Sequence, residues 1–115
     1  WIQPINFIAS ELYLGTPFSH LPDNQVLNRT VNNTNVIITK FLENLGTQIS
    51  SGTRLCLAVP AWQTSSGHFK HLPLIDQIEA LGYNRVSFEH IDNGKLIYYR
   101  PDQIVARQLL VLIRK

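Results

Sequence analysis

Residues 53–59 read TRLCLAV, in which residues 55–59 form a continuous apolar run that is followed directly by Pro60. Such a run is typical of a β-strand that is buried on both faces, as in a parallel sheet with helices on each side. Because proline lacks a backbone N–H, Pro60 is expected to end this strand. The stretch therefore predicts an α/β fold, in which strands and helices alternate along the chain.

The segments before this run predict one strand and one long helix. Residues 5–9 read INFIA and predict a buried strand. Asp23 is placed to cap a helix, and the NNTN cluster at residues 32–35 is able to split that helix by competing for backbone hydrogen bonds. The apolar face expected from the helical spacing consists of Leu27, Val31, Ile38, Phe41, Leu42, Leu45 and Ile49.

The segments after Pro60 predict a loop, a second helix and three further strands. In chain order they are a polar loop at 63–70, a helix from Pro73 to about Leu81 that stops at Gly82, and strands at 85–90, 96–99 and 106–113. A tight turn is expected at residues 92–94. The last strand is expected to close the sheet in antiparallel orientation, so that residues 1–115 form a single α/β unit.

The composition resembles that of an ordinary globular domain. The chain has 115 residues, 44% of them hydrophobic, and a formal net charge of +2. It lacks both a run of about eighteen apolar residues and a signal-peptide pattern, so the cytoplasm is the expected compartment and no membrane partner is expected. The mild basic charge is compatible with a polyanionic partner. The one cysteine, Cys56, is expected to be a buried core thiol.

Two segments resemble motifs of a known enzyme family. The segment FIASELYLG at residues 7–15 resembles motif IV of amino-methylating enzymes, in which a strand leads into an Asp/Asn-Pro-Pro-aromatic tetrapeptide. The segment LIYYRPDQ at residues 96–103, with Arg107 and the closing VLIRK, resembles the C-terminal signature of the putative RNA methylase and tRNA guanosine N-methylase family. The chain is thus similar to the C-terminal half of a class I, S-adenosylmethionine-dependent methyltransferase. The resemblance implies strands four to seven of a Rossmann-like sheet, the last one antiparallel between strands five and six.

The resemblance also implies a catalytic tetrapeptide formed by Ser10, Glu11, Leu12 and Tyr13. The exocyclic amine of a base is a poor nucleophile, because its lone pair is delocalised into the ring. Protein oxygens accept its protons and direct that lone pair towards the methyl group of the cofactor. Ser10 takes the position of this acceptor, or Glu11 does if the register slips by one. Tyr13 takes the position of the aromatic side chain that stacks on the base.

Further residues are assigned to substrate binding or to simpler structural roles. Gly15 and Arg100 are assigned to the substrate. Trp62 follows the second strand at the same sheet edge, so it either lines the base pocket or, as the favoured alternative, packs in the core. Arg100 and Arg107 suit RNA phosphates, or ion pairs with Asp92, Asp102 or Glu89. His68, Lys70 and His71 suit zinc or phosphate contacts, but their spacing fits no standard metal pattern, so a solvated loop and no metal are expected.

The sequence contains no cradle for the cofactor, which requires a glycine-rich turn after a first strand. None of the six glycines lies in a G-x-G arrangement, and the chain has no methionine. We therefore expect a fragment of a longer enzyme that binds S-adenosylmethionine poorly by itself. We also expect its strand at residues 5–9 to be an exposed edge that favours self-association.

Three classes of function remain open. The first is a methyltransferase catalytic half that acts on tRNA or on DNA adenine. The second is a non-catalytic α/β binding or scaffold module, because the tetrapeptide at residues 10–13 lacks both family prolines. The third is a flavodoxin-like or receiver domain, which is disfavoured because no acidic pair follows the first strand.

Overall fold

The computed structural model describes residues 7–15, 18, 23–64, 68–87, 97–98 and 104–115. Within this part of the chain there are one α-helix, one 3-10 helix and six strands. In chain order they are β1 (Phe7–Glu11), α1 (Asn24–Gly46), β2 (Arg54–Gln63), β3 (Phe69–His71), the 3-10 helix (Pro73–Gln77), β4 (Tyr83–Arg85), β5 (Ile97–Tyr98) and β6 (Val105–Arg114).

The strands form one mixed sheet in the order β1-β2-β6-β4. β1 and β2 are parallel, whereas β6 is antiparallel to both β2 and β4. β3 pairs with the same edge of β2 as β1 does, further along the strand. β5 pairs with β6. The expectations of an α/β chain and of an antiparallel closing strand are therefore confirmed. No described helix combines the length and the apolar character needed to cross a membrane.

The prediction that Pro60 ends β2 was wrong, because the strand continues to Gln63. Gln63 donates its N–H to the carbonyl of Ile104, towards β6. Since backbone groups alternate along a strand, the nitrogen of Pro60 faces the opposite edge of β2. On that edge the pairing with β1 ends at Ala58 and the pairing with β3 begins at Ala61. Pro60 thus occupies a gap in the pairing, where a missing N–H costs little.

Helix α1 is continuous across the NNTN cluster, so the expected split does not occur. Asp23 caps its first turn by accepting a hydrogen bond from the Val26 N–H at 2.8 Å, as the sequence predicted. Thr34 is buried and donates its hydroxyl to the Thr30 carbonyl at 2.8 Å. Asn35 accepts the Leu74 N–H at 2.8 Å, which ties the helix to the 3-10 helix. The cluster therefore forms contacts that are compatible with a helix.

One face of the sheet packs against α1 and forms the core. The helix contributes buried residues at several of the predicted positions, whereas Phe41 is 38% exposed. The principal buried side chains are Leu27, Val31, Ile38 and Leu42 from α1, Leu55, Leu57 and Val59 from β2, and Leu110 and Leu112 from β6. Their burial removes a large apolar area from water, which is the dominant favourable contribution to folding.

The opposite face, which we call the open face, has no described helix over it. The prediction of a strand buried on both sides was therefore wrong. β2 alternates between buried residues and the half-buried Cys56 and Ala58, so that Cys56 is not a core thiol. Leu109, beside Ala58 in β6, is 41% exposed. At Cys56 and Ala58 the open face carries small side chains, whereas β2 is buried at every position from Val59 to Trp62.

The segment after β3 differs from the predicted helix and strand. Pro73 does begin a helix, but it is a 3-10 helix that gives way to turns after Gln77. Gly82 ends the segment with φ +93°, as expected for a glycine stop. β4 covers Tyr83–Arg85 instead of 85–90, and residues 88–96 lie outside the described part of the chain, including the turn predicted at 92–94.

Arg114 joins the end of α1 to the end of the 3-10 segment. Its guanidinium donates to the carbonyls of Gly46 at 3.2 Å and Gly82 at 2.6 Å, and lies 5.3 Å from the centre of the Tyr83 ring. Tyr83 in turn donates its hydroxyl to the Leu42 carbonyl at 2.7 Å. Burial raises the pKa of Tyr83, and the charge of Arg114 opposes this shift in part.

Candidate functional site

The predicted tetrapeptide lies where β1 ends. Ser10 and Glu11 are the last two residues of β1, opposite Leu57 and Ala58 of β2. Because successive side chains of a strand point to opposite faces, Glu11 lies on the open face and Ser10 on the helix side. Ser10 donates a long hydrogen bond of 3.3 Å to the Glu11 carbonyl. The two alternative acceptors therefore do not share one face of the sheet, although both residues are exposed.

Glu11 forms an ion pair with Arg107 across the open face. Its Oε2 lies 3.1 Å from Arg107 Nε, and the two side chains are 51% and 35% exposed. An ion pair at this exposure contributes at most about 1 kcal/mol to stability. Arg107 was expected to bind phosphate or to pair with one of three acidic residues that lie outside the described part of the chain. Glu11 was not anticipated as its partner, because the pairing depends on the sheet register of β1, β2 and β6.

Leu12 and Tyr13 continue from β1 in different environments. The Leu12 N–H donates to the Ala58 carbonyl at 2.9 Å, and its side chain packs against the core. Tyr13 is 49% exposed. A half-exposed ring directly after an acidic strand end is able to stack on a planar ligand. Leu12 thus anchors the segment, while Tyr13 is available to a ligand.

Gly15 and Trp62 lie next to each other inside the fold. Gly15 has φ +83°, and a Cβ there would lie 2.9 Å from Thr34 Oγ1 and 3.7 Å from the Trp62 ring. The Trp62 side chain is fully buried in the core. Its indole Nε1 has no hydrogen-bond partner among the described residues. Trp62 therefore packs against the Gly15 segment inside the core and does not line an open pocket. Arg100 lies outside the described residues.

The histidine-rich loop contacts helix α1 and also forms a hydrogen bond within itself. Lys70 donates to the Asn28 side chain at 2.6 Å, and the His68 carbonyl accepts from Thr64. Within the described ranges, no group of three or more His, Cys, Asp or Glu residues is arranged to hold a metal ion. Phe69–His71 forms β3, a short strand that the sequence did not predict.

A polar cavity that the sequence did not reveal lies beside this strand. It has a volume of about 240 Å³ and is lined by His71, Leu72, Pro73, Ile75, Asp76, Arg85 and Gln108. Gln108 is 2% exposed, and its Oε1 lies 2.7 Å from Nδ1 of His71. Desolvation lowers the pKa of Arg85, and the nearby charge of Asp76 partly offsets this shift. The one sequence signal was the polar pair Arg107 and Gln108 within a stretch, residues 105–113, that is otherwise apolar.

The described glycines do not provide a cradle for S-adenosylmethionine. A cradle requires glycines that let the backbone approach a ligand. Gly15 is packed against Thr34, whereas Gly46 and Gly82 are packed against Arg114. Gly52 faces open space in the turn before β2 but belongs to no glycine-rich loop. The described residues therefore do not fit the cofactor.

Comparisons with known proteins add no relative: no family model, no curated protein and no solved structure matches the chain. The strand order and the geometry around Glu11 are consequently the observations from which a function can be inferred.

Proposed function

We propose that the chain is the C-terminal part of a class I methyltransferase catalytic domain that acts on an exocyclic amine of a nucleic-acid base in tRNA. The observation that supports this proposal is the strand order β1-β2-β6-β4, with β6 antiparallel between β2 and β4. It matches the order implied for strands four to seven by the resemblance at residues 7–15 and 96–103. The cofactor, S-adenosylmethionine, would be held by residues other than those that the structure describes.

Glu11 is the residue that would direct the amine. Its position at the carboxyl end of a parallel strand is where open α/β sheets bind ligands. Arg107 Nε engages Oε2, while no described residue binds Oε1. Oε1 is thus the atom that would accept a hydrogen bond from the amine. Tyr13 would stack on the base, with its ring half exposed two residues further along.

The proposal predicts that Glu11→Gln lowers the rate of methyl transfer strongly. We expect about a 10²-fold fall in kcat for tRNA in the full-length protein that carries these residues, with little change in KM. Glutamine retains the shape of the side chain but removes the negative charge that strengthens the hydrogen bond from the amine. The measurement is the transfer of a labelled methyl group to bulk tRNA.

Glu43→Gln is the matched control for this variant. Glu43 is an exposed glutamate of α1, away from β1, and its substitution should leave kcat unchanged. Unfolding curves of both variants check that neither has lost stability beyond the small contribution of the ion pair. A Glu11→Gln enzyme that is folded and fully active would refute the role of Glu11.

The second candidate is a non-catalytic binding or scaffold module with a methyltransferase-like sheet. The ion pair is also compatible with this alternative, because Glu11 already has a structural partner in Arg107. The burial of Trp62 favours it as well, since this ring does not reach a base. In this case Glu11→Gln would have no effect on chemistry, and the full-length protein would transfer no methyl group.

The proposal includes nucleic acid as the partner and β1 as a site for strand pairing. β1 lies at the end of the strand order and pairs with β2 on one side. Phe7, its first residue, is 60% exposed. An edge of this kind offers unpaired backbone groups to another strand, from the same catalytic domain or from a second copy of the chain.

A further inference from the structure

The polar cavity beside β3 lies on a different face of the sheet from Glu11. Gln108 lines the cavity, and the next residue, Leu109, is level with Ala58 and Glu11 on the open face. Because consecutive residues of β6 point to opposite faces, the cavity and Glu11 are separated by the sheet. The cavity is therefore not part of the proposed base-binding site.

Arg85 carries hydrogen-bonding capacity that the described protein does not use. Its Nη2 is buried and has no hydrogen-bond partner among the described residues. A buried guanidinium nitrogen without a partner is costly, because it has lost its contact with water without replacing it. The side chain of Arg85 lines the cavity, but Nη2 itself has no accessible surface, so an acceptor atom that enters this space reaches Nη2 only when the guanidinium rotates towards it.

The neighbouring groups make the cavity a defined polar site. Gln108 is almost completely buried, and its side-chain oxygen lies 2.7 Å from His71 Nδ1. An amide oxygen only accepts hydrogen bonds, so in this arrangement Nδ1 donates the proton. The contact holds the imidazole in place at the cavity wall. Asp76 is the opposing charge, since its carboxylate lines the same space.

We propose that this cavity binds the oxyanion group of a small ligand, a carboxylate or a phosphate, through the guanidinium of Arg85. Guanidinium groups match the geometry of both oxyanions and bind them with charge-assisted hydrogen bonds. A volume of about 240 Å³ accommodates such a group together with a few further atoms. The carboxylate of Asp76 repels the bound anion and so lowers the affinity. This effect is measured by removing the charge of Asp76.

The test is a titration of this chain with sodium acetate and with inorganic phosphate at constant ionic strength, followed by the backbone amide signals. We expect saturable shifts at Leu72, Ile75, Asp76 and Arg85, and the anion that binds more tightly identifies the ligand class. Arg85→Met, which retains the aliphatic stem, should weaken binding by about tenfold or more. Arg29→Met, at an exposed arginine of α1, is the matched control and should not change it.

Asp76→Asn gives an independent result in the opposite direction. Asp76 is exposed, so the variant should fold even if Arg85→Met does not. Removal of the opposing charge should tighten the binding of both anions by a few-fold. Shifts that do not saturate, or binding that is the same in wild type and Asp76→Asn, would overturn the proposal. Either result would leave the methyltransferase proposal untouched, because the two sites lie on different faces.

Discussion

Trp62→Ala is expected to lower the free energy of unfolding by about 3–5 kcal/mol. The Trp62 side chain is fully buried and belongs to the core cluster, so truncation would leave a large cavity. Its ring also lies against the Gly15 segment and the face of α1 that carries Thr34. Since typical domains have a total stability of about 5–15 kcal/mol, the variant should be severely destabilised. Urea unfolding followed by circular dichroism measures this loss.

Trp62→Phe separates the packing of the ring from its polar atom. Because Nε1 has no partner among the described residues, phenylalanine loses no hydrogen bond and should cost clearly less than alanine. Phe41→Ala, at a side chain that is 38% exposed, should also cost less than Trp62→Ala. A Trp62→Ala protein of nearly normal stability would mean that Trp62 is a surface residue, free to line a pocket.

Gly82→Ala should destabilise the protein by about 2–4 kcal/mol. Gly82 has φ +93°, which residues with a Cβ adopt only at a cost. In addition, the new Cβ would overlap Arg114 Nη1, which donates to the Gly82 carbonyl. Arg114 would have to move and would lose its contacts with Gly46 and Tyr83. Thermal and urea unfolding of the variant provide the measurement.

Gly52→Ala is the control that isolates the backbone contribution. Gly52 has a similar φ of +89°, but a Cβ there meets nothing within 4 Å. We expect a loss of only about 1–2 kcal/mol, from the unfavourable backbone conformation alone. Equal losses in the two variants would show that the contacts of Arg114 contribute nothing to stability.

The elements with strong local patterns were predictable from the sequence. The spacing of Leu27, Val31, Ile38 and Leu42 predicted α1, and the Asp23 cap predicted its start. The apolar runs predicted the presence of β1, β2 and β6, but the expectation that β1 is buried was wrong, because only Ile8 of this strand is partly buried. Local patterns failed where tertiary contacts decide the outcome. The NNTN cluster remains helical with Asn35 bound to Leu74, and β2 passes Pro60 because the edge at that residue is unpaired.

The site was less predictable than the fold, because it depends on sheet register. The motif at residues 10–13 located the strand end, but it could not decide that Ser10 and Glu11 lie on opposite faces. The partner of Glu11 is Arg107, which comes from a distant strand, and no spacing in the sequence connects the two. Likewise, Arg85 and Gln108 meet at the cavity only through the pairing of β4 with β6.

An assay of methyl transfer decides between the enzyme and the non-catalytic module. The full-length protein that contains these residues is incubated with tRNA and methyl-labelled S-adenosylmethionine, and the labelled nucleosides are identified after digestion. We predict label on the exocyclic nitrogen of one base, with the label strongly reduced by Glu11→Gln and unchanged by Glu43→Gln. A folded full-length protein that leaves tRNA and DNA unlabelled would contradict the proposed activity and would favour the non-catalytic module.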